Sequence, residues 1–433
     1  MGEPIFFISL FFKKMVKISK KKLFIFLAEI SLIATLFPIL AYVPKTIGYV
    51  IAVGVILLTS FIFLAFSRSF NLLKISIENS PHFWIFFLFL LLSQYAVTLL
   101  GFLDIWGLIK VVGYLIVAVC GYFIFPALFL KDNCIYFPWS FFSKLGAIFS
   151  FFGILIVLKG KIEFLGLEWS ASLWNIPLVK LPATSSLFSD PNYFSIIPFL
   201  GFIGSLYLIK SQKFSFLKKL GLLFLSGLNL AGIFFSYSRA AYLATFFLIV
   251  FLILMESNFV KKLILTTLII LSIFILFNTI QNIPQLQTFL GTERALFLSG
   301  REILWPAAIE VLNTHPILGW GIGNVDEVIL SQNLPNSWAS SHNSFLDFAI
   351  MCGIPVTLLY LLVIIISIKR LYFLKSQRFD RKILLCSIFC MLIIMQFTTH
   401  TLGGVAFGSF VFSFLLGTAN FAFLKSNNFL EHG

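Results

Sequence analysis

Two arginines and a histidine are the side chains in this sequence best suited to chemistry on a phosphate-bearing substrate: Arg239 in "SYSRAAYL", Arg301 in "SGREILW" and His342 in "SSHNSFLDF". Arginine offers a planar fork of donors that stays charged, and a charge-assisted hydrogen bond contributes about 1.5 to 3 kcal/mol. Two such forks could hold a pyrophosphate and stabilise it as a leaving group. A neutral imidazole could take the proton of an attacking hydroxyl, which typically accelerates a reaction by about 100- to 10,000-fold. A fourth stretch, "FSDPNYFS", adds Asp190 and Asn192. Each residue also has a plainer reading. Arg239 alone could snorkel to headgroups, Arg301 could be a solvated helix residue, and Asp190 and Asn192 are strong turn formers.

The elements that must position them are set by composition. Of 433 residues, 60% are hydrophobic, 11% are charged and 56 are Phe, and the mean hydropathy is +1.02. This is the composition of an integral membrane protein. Strand-like alternation is absent, so the spans are expected to be helices of about 20 residues crossing a core of about 30 Å. Twelve apolar runs fit: 23 to 43, 46 to 66, 82 to 101, 105 to 130, 144 to 158, 193 to 209, 220 to 236, 240 to 255, 263 to 280, 345 to 367, 384 to 399 and 405 to 424. The first, after Lys17 and Lys20 to Lys22, reads as a retained signal anchor, with Met15 as an alternative start.

The net charge of +14 is scattered in short patches between the runs rather than gathered on one face, which argues against nucleic acid. With the N-terminus in the cytoplasm, 23 Lys and Arg fall on the cytoplasmic side and 7 on the other, Lys110 being left inside a span. Both termini are therefore expected in the cytoplasm. Arg239, the 159 to 192 segment and the 281 to 344 segment are expected on the outer face, where an arginine escapes the roughly 2.5 to 3.5 kcal/mol cost of the bilayer centre.

The 281 to 344 loop should be ordered. Ser299 and Glu302 form a capping-box candidate, Ile303, Leu304, Ala307, Ala308, Val311 and Leu312 recur at helical spacing, and Pro316 ends the helix. Arg301 falls in its first turn, where free N–H groups favour an anion. His342 stands beside an N-cap, Ser341 or Asn343, of the tenth span, whose dipole disfavours imidazolium and keeps the ring available as a base. His315, before Pro316, reads as a turn residue, and His400 and Arg294 carry little information. "GWGIGN" lacks the GxGxxG spacing and a preceding strand, so a tight backbone-shaped turn is expected there, not a nucleotide loop. The five cysteines show no metal spacing and read as small apolar side chains.

The order of "SDPN", "SRAA", "GREILW", "HPILGWGIGN" and "SHNSFLDFAIMCGIPV", interleaved with spans, resembles the O-antigen ligase and polymerase superfamily of bacterial envelope proteins over residues 185 to 370. The resemblance implies one membrane domain over 1 to 433, all-α with about 12 spans, of the C-type glycosyltransferase kind, with a cavity beneath a periplasmic loop of short helices at 281 to 344. It implies an enzyme of the bacterial inner membrane. Such an enzyme moves a glycan from undecaprenyl pyrophosphate to an acceptor hydroxyl, here expected to be lipid A-core, without metal, cofactor or nucleotide. Arg239 matches the arginine of the SR motif and Arg301 the loop arginine ahead of Trp305, both as pyrophosphate contacts. His342 matches the histidine of the HN motif, as base or acceptor-positioning residue, with Ser238 and Asn343 supporting. Outer-side basic residues are fewer than ligases usually carry, so a repeat-unit polymerase and a protein-directed oligosaccharyltransferase stay open. A transporter would need charges at mid-membrane depth and repeated broken spans. Lys110 is the clearest such charge, and no internal repeat is visible.

Overall fold

The computed structural model describes residues 20–66, 70–101, 105–127, 136–164, 167–171, 175–176, 181–211, 214–254, 260, 263–264, 266–267, 301–322, 324–332, 340–374, 378–395 and 406–426. Helices dominate them. In chain order they are α1 (Lys20–Ala34), α2 (Lys45–Phe66), α3 (Phe70–Glu78), α4 (Pro81–Leu99), α5 (Ile105–Val119), α6 (Tyr136–Lys159), α7 (Pro191–Ser211), α8 (Phe216–Ser236), α9 (Arg239–Leu254), α10 (Arg301–Thr314), α11 (Val325–Leu330), α12 (Ser344–Tyr372), α13 (Arg378–Met395) and α14 (Phe407–Ser426). A π-turn at Cys120–Ile124 prolongs α5. Among the described residues, eight helices are long and apolar enough to cross a membrane, so the chain is an all-α polytopic membrane protein.

Several expectations shift. The first run, 23 to 43, is helical only to Ala34 and then turns through a 3-10 segment at Phe37–Ile39, because Pro38 cannot extend an α-helix. α9 has 16 residues and counts as a shorter apolar helix. The fifth span begins well before Lys144, at Tyr136. The proposed ninth span, 263 to 280, lies largely outside the described residues, as do Met15, Cys134, Arg294, Ser299 and His400. The 159 to 192 segment holds antiparallel pairs that composition hid: β1 (Lys161–Phe164) with β2 (Leu167–Ser170), and β3 (Asn175–Ile176) with β4 (Leu181–Pro182). Lys110 is exposed near the start of the Ile109–Ala127 span and not buried, so it can snorkel, which removes the clearest sign of a transporter. Cys120, Cys352, Cys386 and Cys390 are buried free thiols, as their apolar setting suggested.

Close packing organises the bundle. α6, α7 and α8 meet through small residues, which let backbones approach where lipid supplies no hydrophobic drive between helices. Ser143 and Ser205 share a hydrogen bond of 2.7 Å, and Asn229 Nδ2 donates to the Ser143 carbonyl at 3.1 Å. α4 and α12 run antiparallel, since Arg370 near the C-terminal end of α12 donates to the Asn79 carbonyl just before α4, at 2.6 Å. The same guanidinium donates to the Asn420 side chain, whose Nδ2 reaches Ser80 Oγ at 2.9 Å and Ser76 Oγ at 3.3 Å. Asn420, Ser76 and Ser80 are fully buried. Asn420→Leu strands donors that water cannot reach, and should cost about 1 to 3 kcal/mol, read as a lower unfolding midpoint in detergent.

Candidate active site

Four helix N-termini carry the residues singled out by sequence. Asp190 immediately precedes α7, Arg239 is the first residue of α9, Arg301 is the first residue of α10, and His342 stands two residues ahead of α12. Each such end presents backbone N–H groups without intrahelical partners and a partial positive charge.

The local sequence explains each turn. α8 ends at Tyr237, whose left-handed conformation (φ 53°) leaves only Tyr237 and Ser238 between α8 and α9. Buried Ser238 begins α9: its backbone N–H donates to Ser236 Oγ at 3.2 Å, and its carbonyl accepts from Tyr242 N at 3.0 Å. Arg239, next in line, is exposed. Before α7, the Asp190 carboxylate accepts from Asn192 N at 2.6 Å, an Asx turn. Before α12, Asn343 and not Ser341 is the N-cap, with Oδ1 accepting from Phe345 N at 3.1 Å and Leu346 N at 3.2 Å. Ser341 N donates to buried Asp347 at 2.9 Å.

Specific bonds draw these ends together. Ser238 Oγ donates to Asn192 Oδ1 at 2.9 Å, tying "SR" to "DPN". Trp305 Nε1 donates to the Ser341 carbonyl at 3.0 Å, tying α10 to the residue before His342. Asp190 and Arg301 interact electrostatically: burial pushes the Asp190 carboxyl above the usual carboxylate range, while the Asn192 hydrogen bonds and the Arg301 guanidinium pull it down. Burial likewise raises the Tyr237 phenol, and Arg239 opposes the rise. His342 is half-buried and left-handed (φ 52°), with its N–H donating to Ser340 Oγ at 3.1 Å. The three non-glycine residues with positive φ among those described, Ser186, Tyr237 and His342, all lie in loops at this end. Strain of this kind costs about 1 to 3 kcal/mol and tends to gather at functional sites.

His315 stands in the bend that follows α10. Its Nδ1 bonds Thr314 Oγ1 at 3.0 Å, and its ring packs on Trp320 with centroids 4.1 Å apart. α10 ends at Thr314, ahead of Pro316.

Residues 222–361 match the family model for O-antigen ligase. The match supports placing this region in the O-antigen ligase superfamily. No relative among the curated proteins matches it. The matched stretch contains Arg239, Arg301, Trp305, His315 and His342, and leaves Asp190 and Asn192 outside. That match, in a chain with eight helices apolar and long enough to span a membrane among the described residues, supports enzyme activity of the ligase or polymerase type in general.

The matched region also has a feature that residue types did not reveal. α12 is broken at Gly353 (φ 82°, ψ 163°), and the "HPILGWGI" turn, residues 315–322, is inserted into the break. Trp320 N donates to the Ile350 carbonyl at 2.7 Å, Gly321 N to Met351 at 2.9 Å, and Ile354 N to Pro316 at 2.8 Å. Glycine is needed at the contact, since a Cβ on Gly353 would run into the Ile317 carbonyl and its backbone conformation is one that side chains rarely tolerate. Gly353→Ala should therefore lower stability by at least about 1 to 3 kcal/mol, seen as a reduced thermal midpoint.

Proposed function

We propose that this chain transfers a glycan from an undecaprenyl-pyrophosphate donor to a hydroxyl of lipid A-core at the periplasmic face of the bacterial inner membrane. The observation that carries the proposal is the linked set of four helix N-termini bearing Arg239, Arg301, His342 and Asp190. Positive helix ends and two guanidinium forks suit a pyrophosphate, whose charge grows as it departs.

In this reading the acceptor oxygen attacks the anomeric carbon of the donor sugar. The bond from that carbon to the pyrophosphate oxygen breaks, and undecaprenyl pyrophosphate leaves with the bonding electrons. Arg239 and Arg301 hold the leaving group. His342 takes the hydroxyl proton or orients the hydroxyl, and the Ser340 and Asn343 contacts fix its loop. Ser238 and Asn192 brace Arg239, Trp305 braces the loop of His342, and Asp190 orients Arg301. Charge on the leaving group is met by arginines, so no metal or other cofactor is invoked.

The family match over residues 222–361 fits a repeat-unit polymerase equally well, because the donor chemistry is shared. Cells lacking the chain separate the two. A ligase leaves full-length undecaprenyl-linked chains and bare core, whereas core bearing single repeats would instead make it a polymerase.

A further inference from the structure

The turn seated in the break of α12 is not a surface loop. It is held by two polar residues from the middle of an apolar helix, Ser93 and Gln94 of α4, both almost fully buried. Gln94 Oε1 accepts from Ile322 N at 2.8 Å, and Gln94 Nε2 donates to the Met351 carbonyl at 3.4 Å and to Ser93 Oγ at 3.3 Å. Ser93 Oγ lies 2.8 Å from the Leu318 carbonyl and 3.1 Å from that of Cys352. One amide and one hydroxyl thus bridge three segments: α4, the 315–322 turn and the broken α12.

Depth follows from helix geometry. Ser93 and Gln94 precede the end of α4 at Leu99 by five or six residues, and Met351 follows the start of α12 by seven. At 1.5 Å per residue, the junction lies about 8 to 10 Å below the helix ends that carry the site. Irregular backbone is tolerated at such depth only where protein satisfies its polar groups, and the donors and acceptors above do so. The turn's tip is apolar and outward-facing, with Ile317 68% exposed beside Ile354 at 41%. Such a surface suits lipid better than water.

The turn is also the hinge of α10. Trp320 Nε1 donates to the Val311 carbonyl at 3.2 Å, near the C-terminal end of α10, while Trp305 fixes the first turns to Ser341. α10 is therefore mounted at two points, and one of them stands on the turn.

We propose that Ser93 and Gln94 are positioning residues. They lock the 315–322 turn at membrane depth into the break of α12, and the lock sets where Arg301 and Trp305 stand relative to His342. The part concerning substrate rests on the glycan-transfer reading above.

The test uses the full chain in lipid nanodiscs, as wild type and Gln94→Leu, a change of similar volume that removes all three hydrogen bonds of the side-chain amide. Hydrogen exchange followed by mass spectrometry reads the turn without any substrate. The wild-type 315–322 peptide should exchange slowly. Gln94→Leu should speed it by about 10-fold or more while peptides of α7 and α8 stay unchanged, which also shows that the variant is folded. In the transfer assay, the KM for the undecaprenyl-pyrophosphate donor should rise by about 10-fold, with the acceptor KM unmoved. Fast exchange of the wild-type turn, or equal exchange in both proteins, overturns the lock. Faster exchange with an unchanged donor KM overturns the positioning role. If the wild type transfers nothing from this donor, the proposed function fails while the exchange result still decides the lock.

Discussion

Arg239→Ala should lower kcat/KM for glycan transfer by about 100- to 1,000-fold, a loss of about 3 to 4 kcal/mol of transition-state stabilisation. Arg239 opens α9 from a turn of two residues, Tyr237 and Ser238, so its backbone cannot drift, and Ser238 is tied to Asn192 across to α7. A guanidinium fixed there presents two donors to one phosphate. Arg239→Lys keeps the charge but not the fork, and should recover only part of the loss. A snorkelling arginine behaves otherwise, since lysine would replace it fully and alanine would change membrane insertion without changing turnover. Kinetics of the three proteins, with folding checked by size-exclusion profile, separate these outcomes.

His342→Ala should reduce kcat by about 100- to 10,000-fold with little change in donor KM, because a general base acts in the transition state and not in donor binding. The strain at His342 is held in place by Ser340, and Asn343 caps the helix that follows, so the backbone that presents the ring is anchored on both sides. His342→Gln separates the two roles left to this residue. A glutamine can orient a hydroxyl but cannot take its proton. If His342 is the base, His342→Gln should be as impaired as His342→Ala, and the fall in wild-type rate on the acid side should disappear in both. If it only orients, glutamine should retain most of the activity.

The site motifs were legible because each breaks a local pattern. Arg239 interrupts two apolar runs, Arg301 opens an amphipathic stretch, and "SHN" precedes a long one. Helix ends were less legible. Pro38 shortens the first helix, and Tyr136 to Ser143 extend the fifth run backwards, because aromatic and serine-containing turns continue a helix that hydropathy would start later. The two short hairpins follow from only four alternating residues apiece at most, too few to stand out. The lock at Gln94 was not readable. Its partners are main-chain atoms 228 and 257 residues away, and backbone carbonyls leave no signature in residue types. "GWGIGN" could be read as a tight turn, with Gly319 and Gly321 at positive φ, but not as one seated inside a span.

The most direct test reconstitutes the purified chain in bilayers with an undecaprenyl-pyrophosphate-linked glycan and lipid A-core acceptor, with a chelator present. Wild type should release undecaprenyl pyrophosphate and glycosylate the acceptor, and Arg239→Ala and His342→Ala should both fall at least about 100-fold below it. Transfer by both variants at the wild-type rate would contradict the account.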